Sequence, residues 1–202
     1  SLDQDLTYLE NISCDAVFCP KSDFAKDAPK LSANLLLSKK LCGISRPHFF
    51  DGVISILNHF FQLIKPNNVF FGLKDYQQYL IVKDFLINSD LNIDIHGVPT
   101  QREEDGLAMS SRNNLMSSQQ RLNAKHLPVI LKDIAQRSKH ENLADLKIEG
   151  IQRLEKLNFS VDYFLFCNST NLEELLEFEP NILLAIAVKL GNVRLIDNFI
   201  IQ

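Results

Sequence analysis

Short apolar runs alternate with amphipathic stretches in the first half of the chain, and helical patterns precede strands in the second. Leu2, Leu6, Leu9 and Ile12 recur at helical spacing and predict a helix over residues 2–12. The chain opens on Ser inside this pattern, which leads us to expect sequence upstream of Ser1. Ala16-Val17-Phe18-Cys19 is a continuous apolar run stopped by Pro20, the pattern of a buried parallel strand. Residues 21–30 are polar and predict a loop, and residues 31–37 fit a strand or a helical turn equally. Val53, Ile56, Leu57, Phe60 and Ile64 share one face of a helix over 52–64, which Pro66 ends. Val69-Phe70-Phe71 predicts a strand ended by Gly72. A helix over about 75–87 follows, with Tyr79, Val82 and Leu86 on one face, and then a strand over 93–98 ended by Pro99. Strand, helix and strand at these lengths make a βαβ unit and imply a parallel sheet.

Residues 100–118 are polar with few apolar anchors and predict a loop or linker. Ser117 and Gln120 fit a capping box for the next helix, which carries Leu127, Ile130, Leu131 and Ile134 on one face and which Pro128 kinks or restarts. A helix over 143–157 and strands over 161–166, 182–188 and 193–196 follow, the last two joined by the turn signal Gly191-Asn192. The expected fold is α/β: a doubly wound, Rossmann-like parallel sheet over residues 1–108, incomplete at its N-terminus, with a small α+β unit over 109–202.

Composition narrows the partners. With 202 residues and 46% hydrophobic content the chain can bury a real core. A net charge of −4 argues against non-specific nucleic-acid binding. No apolar run is long enough to span a membrane, so the expected location is the cytoplasm. Cys14, Cys19, Cys42 and Cys167 show no C-x-x-C spacing and predict mostly buried, reduced thiols. The five histidines form no pair at metal-ligand spacing, so no protein-held metal is predicted. Tyr163, Phe164 and Phe166 sit in an apolar run and predict a buried strand.

In an open parallel sheet, ligands bind at the C-terminal ends of the strands. One such end is Gly72-Leu73-Lys74-Asp75-Tyr76-Gln77-Gln78. Gly72 permits close backbone approach, Lys74 adds a mobile positive charge where helix amides favour phosphate, and Gln78 offers a donor and an acceptor. By itself the segment reads first as an ordinary strand–turn–helix junction with Asp75 as the cap. The second end is Asp105-Gly106-Leu107-Ala108-Met109-Ser110-Ser111-Arg112-Asn113, whose hydroxyls and guanidinium suit phosphate. Alone, it reads equally as a polar interdomain linker.

Taken together, in this order and spacing, the two segments resemble the pantothenate synthetases (pantoate–β-alanine ligases). Gly97-Val98-Pro99-Thr100, Leu41-Cys42-Gly43-Ile44-Ser45-Arg46-Pro47, Phe50-Asp51-Gly52-Val53 and the terminal Val188-Lys189-Leu190-Gly191-Asn192-Val193-Arg194-Leu195-Ile196-Asp197-Asn198 extend the likeness over the whole chain. The resemblance implies a class I nucleotidyl-transferase fold and a two-step ligation through pantoyl adenylate, with AMP and pyrophosphate as products. It implies ATP as co-substrate, magnesium, and a homodimer. Gly72, Leu73, Lys74 and Asp75 would hold ATP, the backbone at Gln101 would meet adenine, and Met109, Ser110, Ser111 and Arg112 would close over the nucleotide. Lys74, Ser110, Ser111 and Arg112 would be catalytic. Gln78 would hold pantoate, and Val53, Ile56, Leu57 and Phe71 would meet its gem-dimethyl group.

The chain departs from the family in several places. It carries no H-x-G-H-type motif and no second pantoate-binding glutamine, Phe49 stands where His is usual, Leu73 replaces an often polar residue, and residues 21–30 are short and polar. Without the histidine motif, residues 1–202 alone are expected to be inactive. A non-catalytic nucleotide-binding module and a related transferase acting on another carboxylate are the alternatives.

Overall fold

The structure, a computed structural model, describes residues 2–20 and 24–202. Helix α1 (Leu2–Asn11) forms as the periodicity predicts, but buries none of its residues. The strand expected at 16–19 does not form. Val17 and Phe18 are 43% and 48% exposed, and the Phe18 ring packs edge-on against Phe24 and Phe60 where a ladder partner was expected. Of the predicted loop 21–30, residues 21–23 lie outside the described residues, and Phe24–Lys26 is a 3₁₀ turn. The ambiguous stretch resolves as extended chain leading into a single helical turn, α2 (Leu35–Ser38), capped by the Asn34 side chain.

Another single turn, α3 (Cys42–Ser45), precedes the long helix α4 (Phe49–Ile64). The buried stripe of α4 is Phe50, Ile54 and Phe61. The residues predicted to pack sit one position round: Val53, Ile56, Leu57 and Phe60 are half-buried, and Ile64 is exposed. The inner face is set by polar anchors as well as apolar ones. Asp51 Oδ1 accepts from the Ala33 amide at 2.8 Å, and Ser55 Oγ accepts from the Leu31 amide at 2.9 Å. These bonds turn α4 toward residues 31–33.

Strand β1 (Asn68–Gly72), helix α5 (Tyr76–Ile87) and strand β2 (Asp94–Val98) are the expected βαβ unit, with β1 and β2 paired in parallel. Residues 101–109 are not a slack linker. The Met109 amide donates to Gln101 O, the Glu103 amide donates to Leu107 O, and Leu107 and Ala108 are buried. Ser117 and Gln120 make the predicted capping box on α6 (Ser118–Ala124). A new helix, α7 (His126–Arg137), starts two residues before Pro128, so the proline lies in a first turn that does not need its N–H. Helix α8 (Leu143–Glu155) leads into an antiparallel sheet of β3 (Phe159–Asn168), β4 (Ile182–Leu190) and β5 (Val193–Ile201), in the order β3-β4-β5.

Central strand β4 explains how the halves join. Ile182, Leu184, Ile186 and Val188 pack into the cluster built by α7 and α8, and Leu183 and Ala185 pack on the other face with Leu37, Leu80 and Ile81. Covered on both sides, β4 reads as an unbroken apolar run and not an alternating one. Of the thiols, only Cys167 is buried, and Cys14 and Cys19 are exposed, because the strand expected to bury Cys19 is absent. Burial pushes the Cys167 thiol up to about 12.

Two outcomes test this packing. A Cβ on Gly43 would lie 1.6 Å from the Ser38 carbonyl oxygen, and one on Gly52, inside α4, would meet nothing within 4 Å. In urea unfolding, Gly43→Ala should destabilise by about 1–3 kcal/mol, and Gly52→Ala should stabilise by about 0.5–1 kcal/mol; equal midpoints for the two variants would contradict the packing described. In native protein at pH 8, a thiol reagent should label Cys14 and Cys19 at once and reach Cys167 only after denaturant is added. Immediate labelling of Cys167 would show that the sheet is not closed over it.

Candidate functional site

The C-terminal end of β1 opens on a cleft of about 240 Å³ between the βαβ unit and the antiparallel sheet. Lys74, Asp75 and Gln78 line it from the junction of β1 and α5, and Arg112 lines it from the far side. The two segments singled out in the sequence therefore meet across one opening. Lys74 also borders a small adjoining space with Ser110 and Asn113.

Each predicted residue has a definite place. Gly72 is the last residue of β1, paired with Val98, and its φ of −67° is ordinary extended backbone. Its Cβ position is open, so space there is available to a ligand. The Leu73 side chain packs on Gly97 and does not line the cleft, which accounts for an apolar residue at this position. Asp75 stands at the N-cap of α5 but makes no side-chain cap bond, contrary to the capping expectation. Its carboxylate is left to the cleft. Ser110 Oγ accepts from the Arg112 amide at 3.3 Å and caps the 3₁₀ turn Ser111–Leu115, which sends the Arg112 side chain outward. Gln101 and Met109 are exposed beside this turn and do not line the cleft, nor does Ser111. Val53, Ile56, Leu57 and Phe71 are half-buried and lie off its wall.

The wall holds residues that motif reading passed over. Arg46, Phe49 and Phe50 form one side, with the Arg46 guanidinium 5.4 Å from the Phe49 ring centre. Arg194 and Tyr163 form the floor with Cys42, whose sulfur lies 3.2 Å from the Tyr163 oxygen and 3.6 Å from both terminal nitrogens of Arg194. Tyr163 was expected inside a buried strand. Phe164 and Phe166 are buried there, but the bulge between Val161 and Tyr163 re-aims Tyr163 into the cleft. Its burial, then Cys42, push the Tyr163 hydroxyl far above its ordinary value, so it stays protonated. Burial opposes the Arg194 charge, but the bonds to Asp162 and Cys42 outweigh it and hold Arg194 above its ordinary value. Arg46 and Arg194 stood inside segments that carried the family likeness, and that was the signal available.

The electrostatics fit an anionic ligand. Lys74, Arg46, Arg112 and Arg194 line the cleft together with Asp75 and Asp197. Asp197 is only 1% exposed at its side chain and is bound by Arg102 through two bonds of 2.7 and 2.9 Å. The local field is thus positive in a chain of net charge −4. Among the described residues no group of three or more His, Cys, Asp or Glu could hold a metal ion.

Gln77, the neighbour of Gln78, shapes this wall from beneath. It is buried, accepts from the Cys42 amide at 3.0 Å, and donates to Leu37 O at 2.9 Å and Lys40 O at 2.6 Å. The motif gave no sign of this division of labour between adjacent glutamines.

A family model described as pantoate-beta-alanine ligase matches residues 1–200. The pantothenate synthetase of Acinetobacter baylyi is 37% identical over 203 residues, covering 98% of this chain and 72% of that protein. That of Acidithiobacillus ferrooxidans is 36% identical, covering 100% and 75%. The crystal structure of pantothenate synthetase from Thermus thermophilus superposes with a TM-score of 0.94 at 29% identity, covering all of this chain and 75% of that one. The Francisella tularensis pantoate-beta-alanine ligase, complexed with beta-gamma ATP and beta-alanine, gives 0.78 at 29% identity, covering 99% and 70%.

Replacing Gln77 by Leu leaves the Cys42 amide without its acceptor and takes one donor from each of the Leu37 and Lys40 carbonyls, which keep backbone donors from Lys40 and Gly43. It should cost about 1–3 kcal/mol, read as a lowered midpoint of urea unfolding. A variant as stable as the parent would mean that the 37–42 segment is held by something else.

Proposed function

We infer the activity from one premise: this chain belongs to the pantoate-beta-alanine ligase family. It is an enzyme of that family's class, an ATP-dependent ligase that joins pantoate and β-alanine through a carbon–nitrogen bond. We propose that it works in two steps. A pantoate carboxylate oxygen attacks the α-phosphorus of ATP, the bond to the β-phosphate oxygen breaks, and pyrophosphate leaves with the electron pair. The amine of β-alanine then attacks the acyl carbon of pantoyl adenylate, the bond to the AMP oxygen breaks, and pantothenate and AMP are released with loss of a proton.

One observation carries this reading: Lys74 and Arg112 face the same positive cleft from separate segments. Charge that builds on phosphate oxygens during adenylation is stabilised by fixed cations already aimed at it. Lys74 supplies a compact charge that can follow the phosphates, and Arg112 a planar fork that can hold two oxygens. In this reading Gly72, Leu73 and Asp75 present the backbone edge and carboxylate of the nucleotide site. Gln101 meets adenine, and Met109, Ser110 and Ser111 close over the phosphates. Gln78 holds pantoate, and Val53, Ile56, Leu57 and Phe71, which lie off the cleft wall, would meet its gem-dimethyl group only after that wall rearranges. Residues 1–108 would carry the nucleotide-binding unit and 109–202 the lid.

Magnesium carried by nucleotide phosphates needs only one or two protein carboxylates. Asp75, uncapped and facing the cleft, fits that need, whereas Asp197 is occupied by Arg102. When bound, the ion would neutralise phosphate charge. By the same family resemblance we propose a homodimer acting in the cytoplasm. Residues 1–202 contain no H-x-G-H-type motif, so a polypeptide of these residues alone is proposed to bind ATP without turnover.

The test uses the product of the native gene with ATP, pantoate and β-alanine. AMP and pyrophosphate should appear in equal amounts and only when pantoate is present. Lys74→Ala and Arg112→Ala should each lower kcat by about 10²–10³-fold. Undiminished adenylation in both variants would sink the assignment, and turnover with another carboxylate while pantoate stays inert would identify a different substrate.

A further inference from the structure

We propose that Asn198 is a positioning residue for the nucleotide, and that with Asp197 it lets β5 set the spacing between the two ATP-contacting segments. Consecutive side chains of a strand point to opposite faces, and here each grips a different segment. Asn198 donates from Nδ2 to Leu73 O at 2.9 Å and to Lys74 O at 3.0 Å. Asp197, buried, holds Arg102 by two bonds, and Arg102 in turn donates to Gly106 O at 3.0 Å while its guanidinium lies 4.6 Å from the Phe199 ring centre. The Asp197 carboxylate also accepts from the Asn198 amide at 2.8 Å, which ties the two grips together.

Peptide geometry carries the effect to the amides of the turn. In a planar trans peptide the carbonyl points opposite to the next amide. Tying the carbonyls of Leu73 and Lys74 to Asn198 therefore fixes the direction of the Lys74 and Asp75 amides, which point away from β5. It also fixes the base from which the Lys74 side chain reaches the cleft. Asn198 need not touch substrate to do this; it acts through the turn. The Asp197–Arg102 pair does the same for the 101–109 loop that leads to Ser110 and Arg112. The inference rests on the nucleotide-site reading above for its ligand, but the grips themselves do not depend on it.

Asn198→Asp keeps the shape and removes the donating amide, and Asn198→Ala removes the side chain. Asn123→Ala is the control, since Asn123 Nδ2 makes a comparable bond to Leu157 O at 3.0 Å away from the cleft. Both Asn198 variants should raise KM for ATP about tenfold or more, as expected for two lost hydrogen bonds, with KM for β-alanine little changed; the control should move neither. If Asn198→Ala fails to fold, the isosteric Asp variant carries the test. A lowered melting temperature or active fraction with KM for ATP unchanged per active site would overturn the proposal and leave Asn198 a structural residue. If the unaltered protein makes no AMP from pantoate, the function reading fails by itself. Calorimetry with ATP then decides the positioning role, because weakened binding in Asn198→Asp supports it and equal binding refutes it.

Discussion

The site depends on one buried ion pair. Asp197 is almost fully enclosed, and its carboxylate is compensated by the paired donors of Arg102. Removing one partner of such a pair typically costs about 3–5 kcal/mol, because a charge is left buried and unpaired. The pair joins the last strand of the antiparallel sheet to the loop after β2, and Asn198 joins the same strand to the turn after β1. Two loops that start at the ends of a parallel sheet are thereby held by a different sheet. The convergence of Lys74 and Arg112 on one cleft is a result of that cross-bracing.

The strength of the brace comes from the strand behind it. β4 is packed on both faces, with one set of residues against α7 and α8 and the other against the first half of the chain. β5 is hydrogen-bonded along its length to β4 and cannot shift without disturbing both cores. Close packing of this kind transmits displacement and does not absorb it. A rigid strand is a suitable ruler for two segments that must meet a triphosphate at a set separation.

Much of this was legible in the sequence, for identifiable reasons. The βαβ unit, the capping box at Ser117 and Gln120 and the Gly191 hairpin announce themselves through local chemistry that tertiary context did not override. The run at 16–19 misled because apolar composition shows that a segment can be buried, not that a partner exists to bury it. The α4 face was read one position off because Asp51 and Ser55, polar residues, anchor its inner side. Lys74, Asp75, Gln78 and Arg112 were reached through two polar segments whose order and spacing together resemble the family, since either segment alone reads as an ordinary junction or linker. Arg46, Tyr163, Arg194, Asp197 and Asn198 reach the cleft through long-range contacts, and no spacing rule brings β5 beside the end of β1.

On this account one triphosphate is held between a lysine and an arginine that are far apart in sequence and braced by a common strand. The most direct measurement is a crystal structure of the protein with a non-hydrolysable ATP analogue and pantoate. The account predicts phosphate oxygens within hydrogen-bonding distance of both Lys74 Nζ and the Arg112 guanidinium, with the Asn198 amide still on the carbonyls of Leu73 and Lys74. A nucleotide bound with its phosphates outside this cleft, or touching only one of the two cations, would contradict it.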